Sequence, residues 1–252
     1  MIKIIISGCN GHMGRVIDSI CAADPEIQVV AGFDILGSGG RDFPVFSAPA
    51  DCRIEADAVI DFSAPAALSA LLSFCTTAHV PAVLATTGYS PEQLAEIGAA
   101  ALTVPIFRSA NMSLGMNVLL DLVKRAASVL ADYDIEIVER HHNRKVDAPS
   151  GTALMIADAA ASAVSFDAKY VYSRQQVRRP REKREIGISS VRGGTIVGDH
   201  EIIFAGRDEI IEISHHAASR EIFASGAVTA AKFLASVSSP GLYDMSALVS
   251  GR

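Results

Sequence analysis

The sequence predicts an α/β chain in two parts: a doubly wound parallel-sheet domain, then an α+β domain with a mainly antiparallel sheet. Three observations predict it. Up to about residue 110, short β-branched runs alternate with Ala/Leu-rich segments. Those runs are apolar on both faces, as strands covered by helices on both sides require. Beyond residue 185, strand candidates follow one another with no helix between them. The 252 residues are 50% hydrophobic and 20% charged, with 29 Gly and Pro together, which excludes a disordered or collagen-like chain.

In order, Ile2–Ser7 is a strand and Gly14–Ala23 a helix, followed by strands at Gln28–Asp34 and Asp57–Phe62. Ala66–Thr77 reads as a helix, Ala82–Thr87 as a strand, Pro91–Ala101 as a helix and Pro105–Ser109 as a strand. Asn117–Ala131 repeats apolar residues at helical spacing, from Val118 and Leu119 to Leu130. Asp134–Glu139 alternates Ile135 and Ile137 against Glu136, as a strand with one wet face does. Thr152–Val164 is an Ala-rich helix, and Glu185–Arg192, Glu201–Ala205 and Glu209–His215 are strands. A last helix over Ala224–Ser236 returns to the first domain. The division is therefore residues 1–111 with 217–252, and residues 112–216.

The first chemistry-bearing motif is Gly8-Cys9-Asn10-Gly11-His12-Met13-Gly14-Arg15, between the first strand and first helix. Glycines there let the backbone approach a pyrophosphate, whose charge is favoured at a helix N-terminus. Asp34 closes the second strand 20 residues after Gly14, where a carboxylate accepts ribose hydroxyls. This arrangement predicts a Rossmann-type dinucleotide site. Asp34 repels a 2′-phosphate and Ile35-Leu36-Gly37 supply no cation, so NADH is expected to be preferred over NADPH. Arg15 is the one nearby cation able to swing toward such a phosphate.

The densest chemistry is Glu139-Arg-His141-His142-Asn-Arg-Lys145-Val-Asp147-Ala-Pro-Ser150-Gly151-Thr152. Histidine can donate a proton near neutral pH, and lysine offers charge or a proton beside an anion. Ser150-Gly151-Thr152, opening a helix, presents N–H groups suited to a carboxylate. Alone, a solvent-facing His pair or a plain Ser150 cap would explain either part; their concentration in a dozen residues favours a site. If the chain stays extended, His141 and Lys145 share a face that His142 does not; if it bends after His142, all three can converge. No metal is expected, since adjacent histidines rarely share one ion and no cysteine lies nearby.

Weaker candidates follow the fourth and fifth strands, at Thr86-Thr87-Gly88 and Ser109-Ala110-Asn111-Met112. His215-His216 reads as a strand end. The run 174–185, with six basic and two acidic residues, reads as a solvated loop. Net charge is −6 and Trp is absent, which argues against a nucleic acid partner. Cys9, Cys21, Cys52 and Cys75 lack metal or disulfide spacing, so reduced thiols in the cytoplasm are expected. Ile2–Ser7 is too short for a secretory core, and Pro65, His79 and Pro81 break the uncharged stretch 62–91. No membrane partner is expected.

The chain resembles the 4-hydroxy-tetrahydrodipicolinate (dihydrodipicolinate) reductases of lysine biosynthesis from Ile4 to Met245. The most specific match runs from Glu139 through His141, His142, Lys145 and Asp147 to Ala153. Gly8–Arg15, Ala85–Gly88, Ser109–Gly115, Val191–Gly198 and Ser219-Arg220 also match. The resemblance implies reduction of a dicarboxylate ring by NAD(P)H, with loss of water, in a homotetramer formed through the second domain's sheet. It implies His141 as proton donor or acceptor and Lys145 as second proton donor, with the substrate carboxylates held by His142, Gly151 and Thr152 beside Ser150. Nucleotide binding would fall to Gly8, Cys9, Asn10, Gly11, His12, Met13, Asp34, Ala85, Thr86, Thr87, Ser109, Ala110, Asn111 and Met112. Many relatives carry Arg where this chain has Ile35 and His12, which weakens the case for NADPH. Two other readings compete: another two-domain reductase, such as an amine dehydrogenase, would not need the His-His-x-x-Lys set. An NADH-binding sensor would carry a docking element.

Overall fold

Seven parallel strands form the first sheet, in the order β12-β6-β5-β4-β1-β2-β3. They are β1 (Ile2–Ser7), β2 (Ile27–Phe33), β3 (Val45–Phe46), β4 (Ala58–Asp61), β5 (Ala82–Leu84), β6 (Pro105–Arg108) and β12 (Gly241–Tyr243). The computed structural model describes residues 1–175 and 178–250, in two units. Unit 1 is Met1–Leu114 with Glu221–Arg252, and unit 2 is Gly115–Arg220.

The continuous apolar run of β1 explains its central place. Ile4, Ile5 and Ile6 are all inaccessible, so both faces of this strand are covered. Ile4 and Ile6 pack with α1 (His12–Ala22) and α6 (Glu221–Ala235), through Ile17, Cys21, Ala227 and Leu234. Ile5 faces the other way, toward Leu71 and Leu72 of α2 (Leu68–Ala78) and Ile97 of α3 (Pro91–Ala100). The parallel strands bring every connecting loop that follows β1, β2, β4, β5 and β6 to one edge of the sheet. Ligands bind doubly wound sheets at that edge. Strands β3 and β12 and the terminal helix α7 (Met245–Ser250) were not predicted; each is six residues or fewer, too short to show periodicity.

Unit 2 holds a five-stranded sheet in the order β11-β10-β7-β9-β8. Its strands are β7 (Asp134–His141), β8 (Lys169–Val171), β9 (Glu185–Arg192), β10 (Gly198–Ala205) and β11 (Ile210–Ala217). The mainly antiparallel sheet expected from sequence is corrected to a mixed one. β10 runs antiparallel to β7 and β11, but β7, β8 and β9 are mutually parallel. The reason is the crossover through α5 (Gly151–Ala161) and the short β8, which returns the chain to the sheet in β7's direction. Together with α4 (Leu114–Val129), α5 covers Ile135, Ile137, Ile186, Ile188, Ile202 and Phe204.

One face of this sheet changes character along its length. Period-2 alternation puts Ile135, Ile137, Glu139 and His141 on one side of β7. Register then aligns Glu139 with Ser190 and His200, His141 with Arg192, and His200 with His215. The same buried face is thus hydrocarbon at one end and ionisable at the other.

Candidate active site

The cradle in unit 1 is made by close backbone approach. Gly8 has φ of +76°, and a Cβ there would stand 2.7 Å from the Phe62 carbonyl oxygen. A Cβ on Gly14 would stand 2.3 Å from the Gly8 oxygen, so only glycine lets α1 start against the turn. Gly11 is the N-cap and no side chain caps the helix. The first-turn N–H groups, from His12 and Met13 onward, therefore suit an anion.

Asp34 braces this turn. Its Oδ2 accepts the Asn10 N–H at 2.9 Å and its Oδ1 accepts the Leu36 N–H at 3.0 Å. Cys9 is buried, its N–H donates to the Phe33 oxygen, and burial above all pushes its thiol up to about 11. Arg15 donates from Nε to the Asn10 carbonyl at 3.1 Å.

The other loops at this edge are braced internally. Thr86 donates its hydroxyl to buried Asp61 at 2.6 Å, and the Ala85 N–H donates to the Asp61 carbonyl at 3.0 Å. Thr87 is exposed. Ser109 Oγ donates to the Asn111 carbonyl at 2.9 Å, and Asn111 Oδ1 accepts the Ser113 N–H at 2.9 Å. Ala110 is exposed between them, while Met112 is buried.

In unit 2, one fully buried carboxylate organises the site. Glu139 Oε2 lies 2.6 Å from His141 Nδ1, and Oε1 accepts the Ser150 N–H at 3.1 Å. Arg192 donates to both oxygens, 2.7 Å each. Burial pushes the Glu139 carboxyl up, but hydrogen bonds from Arg192, His141 and Ser190 outweigh it and hold the group at about 2. A carboxylate so ionised can only accept, so His141 Nδ1 carries the proton of their bond.

Ser150 is a cap. Its Oγ accepts the Ala153 N–H at 3.1 Å and lies 3.1 Å from His200 Nε2, and the residue is 2% exposed. Its N–H is given to Glu139 as well, so both its hydroxyl and its N–H have partners within the protein. Gly151 is exposed, with nothing within 4 Å of where a Cβ would stand. Half-buried Thr152 follows it in the first turn.

The chain bends after His142, where the Lys145 N–H donates to the His142 carbonyl at 3.1 Å. Lys145 Nζ pairs with Asp147 Oδ1 at 2.9 Å. Burial, then the charges of Arg144, Arg220, His141 and Lys145, push the His142 imidazole below its ordinary range. So many cations around one ring make a surrounding that favours a bound dicarboxylate. His200 meets His141 edge-to-face, centroids 5.2 Å apart, and burial above all pushes it down to about 4. Near neutral pH it adds no charge beside His141.

Two models of one family cover nearly the whole chain. The N-terminal dihydrodipicolinate reductase model matches residues 2–112 and the C-terminal model residues 115–249. The chain belongs to the dihydrodipicolinate reductase family. It is 53% identical over 249 residues to the 4-hydroxy-tetrahydrodipicolinate reductase of Caldanaerobacter subterraneus subsp. tengcongensis, covering 99% of this chain and 98% of that one. The enzyme of the same name from Clostridium tetani is 47% identical over 250 residues, covering 99% and 97%. Among solved structures, a dipicolinate-bound dihydrodipicolinate reductase from Paenisporosarcina sp. TG-14 superposes with a TM-score of 0.82 at 24% identity, covering 97% of each chain. An amine dehydrogenase from Mycobacterium smegmatis shares the fold, with a TM-score of 0.62 at 13% identity and coverage of 96% and 94%.

Sequence reasoning missed several residues of this site. Arg41 folds back onto the glycine turn: Nη1 pairs with Asp18 at 2.6 Å, Nε donates to Asn10 Oδ1 at 3.3 Å and Nη2 to the Cys9 carbonyl. No local pattern ties residue 41 to residue 9. His200 was overlooked because it sits in a strand next to a turn. Glu139 was legible in principle, since it shares parity with Ile135 and Ile137. The basic run 174–185 has a different use from a solvated loop: Arg174 and Arg179 pair with buried Glu185 at 2.5 and 2.7 Å, and Arg174 with Glu136 at 2.8 Å. Gln176 and Val177 of that run lie outside the described residues. Among the described residues, no helix is long and apolar enough to cross a membrane, no metal-binding cluster occurs and all four cysteines are free and buried.

Proposed function

We propose that the chain reduces 4-hydroxy-tetrahydrodipicolinate to tetrahydrodipicolinate, with loss of water, in the diaminopimelate route to lysine. The observation that carries this reading is the Glu139–His141 pair, held on the same buried carboxylate as the start of α5 and flanked by Lys145 and the cations around His142. Relatives at 53% and 47% identity are named for this activity, and the structural relative holds dipicolinate, a planar dicarboxylate.

The glycine turn, with Gly8 to Met13, the first turn of α1 and Asp34, would hold the nucleotide; Ala85 to Thr87 and Ser109 to Met112 line the same sheet edge. When bound, the reduced nicotinamide supplies the hydride. His141 and Lys145 supply protons: electron density built on the substrate ring is relieved by an acid within reach, worth roughly 10²–10⁴-fold. The helix start at Gly151 and Thr152, with His142, anchors the carboxylates.

NADH is the preferred nucleotide. The Asp34 carboxyl, fixed by the Asn10 and Leu36 N–H groups, stands at the ribose end of the glycine turn, and Arg41 is already paired with Asp18 and 9% exposed. A second copy covers the face of the unit 2 sheet that carries Val138, Val191 and Ile203, building the homotetramer; Val191 is 46% exposed within one chain. Four unpaired, buried cysteines suit a reducing cytoplasm.

Purified protein mixed with freshly made substrate and either nucleotide is the test. Substrate-dependent loss of the reduced-nicotinamide absorbance is expected, with higher kcat/KM for NADH. No turnover with either nucleotide would overturn the activity, and higher kcat/KM with NADPH would overturn the preference.

A further inference from the structure

We infer that Glu139, clamped by Arg192, is a positioning residue that sets the tautomer of His141 and holds three substrate-facing elements in one frame. The inference rests on the reading of His141 as the proton-transferring group. Glu139 is completely buried, where an ionised carboxylate is costly unless its lone pairs are satisfied. They are: Arg192 donates to both oxygens at 2.7 Å, His141 bonds Oε2 at 2.6 Å and the Ser150 N–H bonds Oε1 at 3.1 Å. One side chain therefore ties the imidazole to the start of α5.

Arg192 extends the frame to the third element. Its Nη2 also donates to the Asp147 carbonyl at 2.7 Å, and the Asp147 side chain holds Lys145 Nζ at 2.9 Å. The two proton-bearing side chains and the helix start are thus linked through a single guanidinium–carboxylate fork, a geometry that fixes direction as well as distance.

The chemical consequence is at the imidazole. Because Glu139 only accepts, neutral His141 must hold its hydrogen on Nδ1, leaving Nε2 to take up or release the catalytic proton. A Cβ on Gly198 would stand 3.0 Å from His141 Nε2, so glycine there keeps the ring edge clear.

The test is nitrogen-15 histidine NMR of the full chain, with kinetics on Glu139→Gln and Arg192→Lys. Wild-type His141 is expected as the Nδ1–H tautomer above its titration. An Nε2–H wild-type signal would overturn the inference without any variant. Glu139→Gln is expected to populate the Nε2–H tautomer and lower kcat on the order of 10²-fold or more, with KM for NADH unchanged. Arg192→Lys, which keeps the carboxylate ionised, is expected to retain the Nδ1–H signal. A Glu139→Gln protein with wild-type tautomer or kcat would refute the positioning role. Absence of turnover in the wild type would overturn the proposed reaction alone, since the tautomer assignment does not depend on it.

Discussion

Replacing Gly14 with alanine should destabilise unit 1 and weaken nucleotide binding, whereas the same change at Gly98 should stabilise it. A Cβ at position 14 would stand 2.3 Å from the Gly8 oxygen, 2.7 Å from Cys9 Cα and 2.8 Å from the Cys9 carbonyl carbon. Ordinary contact begins at 3.4 Å, so turn and helix must part by about 1 Å. All three atoms are backbone, and none can swing aside. Overpacking of this kind costs about 1–3 kcal/mol, and each 1.4 kcal/mol that appears in binding is roughly tenfold in Kd. Gly98 lies in α3, exposed, with nothing within 4 Å of its Cβ position. Alanine there should stabilise by about 0.5–1 kcal/mol. Both sites are helical, so the intrinsic gain is shared and the difference isolates the close approach. Thermal unfolding and calorimetric NADH titration of both variants provide the comparison. A Gly14→Ala protein with wild-type Tm and wild-type Kd would show that the turn does not depend on contact with the helix start.

Three further outcomes are expected. Glu139, at about 2 when folded against about 4.3 unfolded, contributes about 3 kcal/mol that is complete above about pH 4.3 and lost as pH falls through about 2. Urea titrations between pH 5 and 2 should therefore show a shallower decline for Glu139→Gln, and equal slopes would contradict the assignment. Gly198→Ala, which pushes a methyl group toward His141 Nε2, should cut kcat about tenfold or more with NADH affinity intact; unchanged turnover would mean the ring edge is not used. His141→Ala and Lys145→Ala should each lower kcat by roughly 10²-fold or more with the circular dichroism spectrum retained, and near-native rates in both would remove their proposed roles.

Much of unit 1 was legible because β1, β2, β4, β5 and β6 each carry an apolar run and most of the loops after them a Gly, Thr or Ser signal. β1 and the turn after it are local features, readable in one unbroken stretch from Ile2 to Arg15. The second sheet was harder. Whether β9 lies parallel or antiparallel to β7 depends on where α5 returns the chain, and no residue in either strand encodes that. In the same way, His141 and Lys145 stood out as a cluster, but their supports did not. Arg192 lies 53 positions from Glu139, and His200 lies 50 from Ser150. Arg41 shows the limit most plainly, since its partners Cys9 and Asp18 are reached only after the loop folds back.

The alternation along β7 has a consequence for quality control of the fold. Ile135 and Ile137 share their side of the strand with Glu139 and His141, so a slip of one residue in pairing would turn all four outward together. A form slipped by one residue cannot bury the isoleucines and lose the imidazole, nor keep the imidazole and expose the isoleucines. Loss of turnover and exposure of core hydrocarbon should therefore accompany one another in any sample slipped by one residue.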